Sequence, residues 1–144
     1  MSELQHAKSY RDLMVYQTSR QAAREIYELS KSFPREEMFS LTDQIRRSSR
    51  SVGAQIAEAW AKRRYIRHFI SKLTDADGEQ LETQHWIECA LDCTLIDQKQ
   101  AFEVLSKVAE VGRMLNSMIA KADLFCKEDP QCVREDTAEY DTDY

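Results

Sequence analysis

Between residues 41 and 59 apolar side chains return every three or four positions, at Leu41, Ile45, Val52, Ile56 and Ala59. That is the period of one helical face and not the alternation of a strand. Ser48, Ser49 and Gly53 fall on or beside the same face, where small side chains let a second helix approach closely. Arg46, Arg47 and Arg50 point to the flank and back. Ser40 is the expected N-cap, and Asp43, three residues on, sets a carboxylate at the positive end of the helix dipole. A chain built around such a stretch needs other helices to cover its stripe.

The rest of the sequence supplies them. Only 3 glycines and 2 prolines punctuate 144 residues, which leaves little turn chemistry for a sheet. From Asp12 to Lys31, Val15, Ser19, Ala22, Ala23, Ile26 and Leu29 form a stripe that ends at Phe33-Pro34, because the residue before proline is driven out of the α region. A third pattern runs from Tyr65 to Asp92 through Ile66, Phe69, Leu73, Ala76, Thr83, Ile87 and Ala90, with Gly78 interrupting it mildly. A fourth, capped by Asp97, takes Phe102, Leu105, Ala109, Gly112, Leu115 and Ile119 inward and ends near Asp123. The AKRR segment at 61–64 is either a tight turn or the first turn of the third helix. Short links favour antiparallel neighbours, so the expected fold is an all-α, antiparallel up-down four-helix bundle over residues 9–123. Residues 1–8 are expected to be a flexible end, and 124–144 an acidic, disordered tail.

Charge is unevenly spread. The formal net charge is −5, yet residues 123–144 alone carry eight acids against Lys127 and Arg134. The body is therefore close to neutral, and eight of the twenty basic residues fall between Arg46 and Lys72 opposed only by Glu58. Arg46, Arg47, Arg50, Lys62, Arg63, Arg64, Arg67 and Lys72 are thus candidate phosphate contacts, with Trp60 and Tyr65 placed to stack on unpaired bases. The plainer account is a solvated face that pairs with the acids of the third helix and the tail. No apolar run resembles a signal peptide or reaches the length of a membrane span, so a cytoplasmic protein with reduced cysteines and no membrane partner is expected.

Positive signs of catalysis are missing. The phosphate-binding, dinucleotide-binding, nucleophile-elbow and zinc-protease motifs are all absent, so no enzyme and no cofactor are expected. Glu82 and His85 make one Glu-x-x-His, but a di-iron bundle needs two. His85, Cys89 and Cys93 stand four residues apart along one helix. Structural zinc sites draw closely spaced ligand pairs from separate segments, so small buried thiols beside a polar histidine are the simpler reading, and no metal is expected.

The runs QIRRSSRSVGAQIAEA, from Gln44 to Ala59, and HFISKLTDADGEQLETQHWI, from His68 to Ile87, together with YRDLMVYQTSRQAAREIYELSKSFPREEMFSLTDQ before them, resemble the bacterial four helix bundle family, also called 23S rRNA intervening-sequence proteins. Gln44, Arg46, Arg47, Ser51, Gly53, Ile56 and Glu58 match its second-helix signature, and Phe69, Glu82, Thr83 and Trp86 that of the third. The likeness spans about residues 9–122. It implies a ring, typically a homopentamer, without known catalysis. The family also looks like the accessory variability determinant proteins of diversity-generating retroelements, which share the ring and bind a reverse transcriptase and nucleic acid. The implied role is a ring-forming adaptor for nucleic acid, structured RNA foremost, serving as an accessory subunit of a reverse transcriptase. The alternative is a protein-interaction module that binds no nucleic acid. Lys62, Arg63 and Arg64 replace the Ser-x-x-Glu-Phe cap that the family often carries there, which makes this link more basic than usual. Met14, Tyr16, Trp86, Val104, Val108 and Val111, off or at the edge of the stripes, are the expected self-association surface. Because an acidic tail competes with phosphate for the same cations, deleting residues 127–144 is expected to tighten nucleic-acid binding; an unchanged affinity contradicts that competition.

Overall fold

A computed structural model describes residues 7–126, and the rest of the chain, including the tail from Lys127 onward, lies outside the described residues. Four long helices carry the fold: α1 (Met14–Ser30), α2 (Asp43–Ala61), α3 (Ile66–Asp92) and α4 (Gln98–Ala120), followed by a single turn, α5 (Ala122–Phe125). α1 packs on α2 and α4, and α3 packs on α2 and α4, so the helices form a four-sided bundle in chain order. Direction follows from the core. One apolar cluster joins the start of α1 (Val15), the end of α2 (Ile56), the start of α3 (Phe69, Leu73) and the end of α4 (Leu115). The other joins the opposite ends through Ile26, Ile45, Ile87 and Val104. Neighbours therefore run antiparallel, up-down-up-down.

Local chemistry sets the helix ends. Asp97 accepts from the Gln100 backbone N–H at 2.7 Å while the Gln100 side chain accepts from the Asp97 N–H at 3.0 Å, a reciprocal cap for α4. At the start of the body Ser9 accepts from the Arg11 N–H, and Asp12 accepts from the N–H groups of Lys8 and Ser9, which hold the Asp12 carboxyl below its ordinary value. α2 begins differently from the sequence expectation. Ser40 does not cap it: the hydroxyl donates to Glu37 at 2.9 Å, and the chain enters α2 through a wide helical turn, Met38–Thr42, with Thr42 already helical. The 61–64 segment resolves as a tight turn. Lys62 closes the last turn of α2, the Arg63 Nε donates to the Trp60 carbonyl at 2.9 Å, and α3 starts after an extended Tyr65. At the far end Leu124–Cys126 are not part of a free tail; Phe125 stacks on Phe69 with ring centroids 5.7 Å apart.

On α4 Gly112 and Leu115 are buried as expected, but Phe102, Leu105, Ala109 and Ile119 each give way to the residue before them. Its buried positions are Ala101, Val104, Val108, Val111, Gly112, Leu115 and Met118, a strict three-four alternation, and Phe102 is 73% exposed. The β-branched valines interlock in the core, so Val104, Val108 and Val111 are unavailable to a partner. Of the expected self-association set only Met14 is exposed, while Tyr16 and Trp86 pack partly against the two cores.

Between the two apolar clusters lies a polar waist. The Thr83 hydroxyl donates to the Glu79 carbonyl at 2.8 Å and is hydrogen-bonded to the Ser48 hydroxyl, 2.9 Å away. Ser19 and Ser49 turn their hydroxyls back onto the carbonyls of Tyr16 and Arg46. The Gln80 amide donates to Asp77 and its carbonyl accepts from Gln84. Gly112 makes room for Gln80, since a Cβ there would stand 2.5 Å from its Nε2, whereas a Cβ on Gly53 would meet Ser19 and Tyr16 at ordinary contact distance.

Two outcomes follow. Gly53→Ala should be neutral or stabilising by up to about 1 kcal/mol from helix propensity. Gly112→Ala should cost about 1–2 kcal/mol by expelling the Gln80 amide, and a Gln80→Ala background should remove that cost; equal effects in both backgrounds, by denaturant titration, would contradict the waist. Beside it the Glu79 Oε2 is buried without a hydrogen-bond partner. Burial, then Glu82, raises this carboxyl above its ordinary 4.5 against the opposing pull of Arg47. A raised carboxyl favours the fold below its unfolded value and loses that advantage as pH rises through the folded one. Glu79→Gln should therefore raise the melting temperature at pH 7 and lose the gain below about pH 4.5.

Candidate nucleic-acid interface

The core stripe of α1 runs through Val15, Ser19, Ala22 and Ile26, and the stripe one residue further on is Tyr16, Arg20, Ala23 and Tyr27. α2 repeats the offset: Ile45, Ser49, Val52 and Ile56 face the core, and Arg46, Arg50, Gly53 and Ala57 stand one residue over. The two offset stripes face each other across the α1–α2 seam. Small side chains at Ser19, Ala23, Ser49, Gly53 and Ala57 form the floor of a groove of about 510 Å³, with Tyr10, Tyr16 and Tyr27 and with Arg20, Arg24 and Arg50 along its walls. No acidic residue lines it.

Three of the four arginines of this face, Arg20, Arg46 and Arg50, stand over aromatic rings. The Arg46 and Arg50 guanidinium carbons lie 4.8 and 5.5 Å from the Tyr27 centroid, and that of Arg20 lies 5.9 Å from Tyr16. Arg11 sits over Tyr10, which meets Tyr16 edge-on at 4.9 Å. Arg46 also donates from Nε to the Ser30 hydroxyl at 2.7 Å. Among the described residues Arg20, Arg24, Arg46 and Arg50 form no ion pair with a carboxylate. A guanidinium stacked on a ring keeps its edge N–H groups available for bidentate contact with a phosphate.

The eight cations anticipated from the sequence are not brought into one patch. Arg50 lines the groove, and Arg46 stands beside it over Tyr27. Arg47 instead reaches Glu82 at 3.4 Å and the Gln44 side-chain amide oxygen at 3.2 Å, and Lys72 pairs with Glu58 at 2.9 Å, whose hydrogen bond holds the ammonium above its ordinary range. Lys62, Arg63, Arg64 and Arg67 gather at the α2–α3 turn, which α2's rise places about 20 Å from Arg50. There Arg63 lies 3.5 Å from the Trp60 centroid, and burial pushes its guanidinium down, while Arg64 lies over Tyr65. One face of Trp60 is thus covered by Arg63, and Tyr65 leans on His68 with centroids 5.2 Å apart. Arg20, Arg24, Tyr10 and Tyr27 were not among the residues expected to contact nucleic acid, and Tyr16 was expected only in the self-association surface. Their signal was the stripe one residue off the core.

The signature residues are mainly structural. Ile56, Phe69 and Thr83 are core, Gly53 is buried at the seam, Gln44 and Ser51 are half-buried, Glu58 binds Lys72, and Glu82 accepts from both Arg47 and the Trp86 indole N–H. His85 Nε2 approaches Cys89 Sγ at 3.6 Å. Burial, then Asp92, Cys93 and Glu88, pushes the Cys89 thiol up, which disfavours the thiolate that binds metal. Among the described residues no three His, Cys, Asp or Glu side chains converge on a metal position, and no helix is long and apolar enough to cross a membrane.

No curated protein matches the chain. The crystal structure of a protein of unknown function from the S23 ribosomal protein family of Bacteroides thetaiotaomicron superposes with a TM-score of 0.67 at 32% identity, over 74% of this chain and 98% of that one. A model of the 23S rRNA-intervening sequence protein family matches residues 11–117, the span that builds the four helices, and the chain belongs to that family.

Proposed function

We propose that this bundle is a non-catalytic adaptor that binds nucleic acid, structured RNA foremost, through its arginines. The observation that carries this reading is the α1–α2 face, where Arg20, Arg24, Arg46 and Arg50 lack carboxylate partners among the described residues and three of the four stand over tyrosine rings. The basic turn at Lys62–Arg67 adds a second contact about 20 Å away along α2, so a folded RNA can touch both. Self-assembly into a ring, a homopentamer by resemblance, is part of the reading and is supported by apolar side chains left at the surface, Phe39 at 90% exposure and Phe102 among them. A ring would multiply each weak phosphate site and add avidity. The likeness of the α2 and α3 signatures to accessory variability determinant proteins supports a reverse transcriptase as the protein partner, and a cytoplasmic setting goes with that role.

The second reading, a protein-interaction module without nucleic acid, is favoured by the Arg47–Glu82 and Lys72–Glu58 pairs, which spend two of the eight cations within the bundle. A salt series separates the two. Wild type should bind a labelled structured RNA with a steep negative slope of log affinity against log salt, and Arg63→Glu/Arg64→Glu/Arg67→Glu, at matched oligomeric mass by light scattering, should lower the slope by up to about 0.9 for each lost phosphate contact. Absence of binding near physiological salt would leave the interaction module as the better account.

A further inference from the structure

The α1–α2 groove has a shape that the basic turn lacks. Its walls carry Arg20 and Arg24, an i, i+4 pair that advances about 6 Å along α1, and Arg50 from α2, with Arg46 beside them over Tyr27. Its floor is small, because Ser49, Gly53 and Ala57 face Ser19 and Ala23. Tyrosine rings are set along it at Tyr16 and Tyr27. The groove is a shallow trough whose tyrosines would hold a base by stacking, which a base still paired and stacked in a duplex cannot do. An unpaired strand can, because its bases turn out of the stack and its phosphates lie along the two walls.

We infer that this groove is a single-strand site: phosphates on Arg20, Arg24 and Arg50, and an unpaired base laid against the Tyr16–Tyr27 wall. The inference rests on the nucleic-acid reading above and names its substrate class, the unpaired segments of an RNA and not its helical stems. Charge and stacking then do separate work. The arginines set affinity through counterion release and therefore set the salt slope, while a ring adds affinity that salt does not remove.

The test compares a labelled single-stranded RNA octamer with the same octamer in a duplex, and with adenosine monophosphate, on protein of matched helicity and oligomeric mass. Wild type should bind the single strand at least tenfold more tightly than the duplex. Arg20→Glu/Arg24→Glu should lose tenfold or more and flatten the salt slope, with Arg20→Gln/Arg24→Gln as a second variant free of added charge repulsion. Tyr27→Leu should lose about tenfold with the slope kept, and Tyr27→Phe should bind as wild type does. The triple turn variant, which removes only the second contact, should lose less on this octamer than Arg20→Glu/Arg24→Glu does. Duplex and single strand bound alike, with only the turn variant impaired, would overturn the groove and leave the nucleic-acid reading standing. Binding of neither RNA overturns both. Adenosine monophosphate bound as tightly as the octamer, with the same variant pattern, would also overturn the inference by making this a free-nucleotide pocket.

Discussion

The polar waist at Thr83, Ser48, Gln80 and Gly112 is the constraint on which the rest of the bundle depends. Two apolar clusters of ordinary aliphatic side chains leave helices free to slide along one another, since one methyl-lined layer resembles the next. The hydrogen bond between the Thr83 and Ser48 hydroxyls and a buried amide that fits only opposite Gly112 do not tolerate such a slip. A displaced register would bury those groups without partners, at about 1–3 kcal/mol each. The waist therefore fixes the register of α2, α3 and α4, and the small residues Ser19, Ser49 and Gly53 set how closely α1 can approach.

Close approach is also what produces the candidate interface. Because Ser19 meets Gly53 at the seam, the stripes one residue off the core face outward together as a shallow trough and not as a ridge. Arginines placed there gain from the rings of Tyr16 and Tyr27 without being neutralised by acids. Elsewhere the same residue type is used differently: Arg47 is paired with Glu82, and Arg63 closes the end of α2 by donating to Trp60. Position on the bundle decides the role of each arginine more than the density of charge along the sequence.

Periodicity made the four helices, their order and most of the core legible before any coordinates, and Asp97 was readable as a cap because an N-cap needs only local chemistry. Two kinds of error mark the limit. Ser40 looked like a cap, but the turn from Met38 to Thr42 was already helical and left no end to cap. On α4, large side chains at Phe102 and Ile119 drew the stripe one position away from the true heptad of Ala101, Val104, Val108, Val111, Leu115 and Met118, since size along one helix does not say what faces it. The interface was legible only as a run of charge. Splitting that run into a groove, a turn and two internal ion pairs required knowing which helices are neighbours, and joining Arg20 and Arg24 to Arg46 and Arg50 is a contact between residues more than twenty apart.

The central claim, that nucleic acid is held on the α1–α2 face, is tested most directly by photocrosslinking. A 4-thiouridine-labelled single-stranded RNA would be bound to the full-length protein, irradiated and digested, and the linked peptides identified by mass spectrometry. The account predicts adducts concentrated in the peptides that carry Tyr16, Tyr27 and the Arg46–Arg50 segment. Adducts confined to the Trp60–Arg67 turn, or spread evenly over the surface, would contradict it.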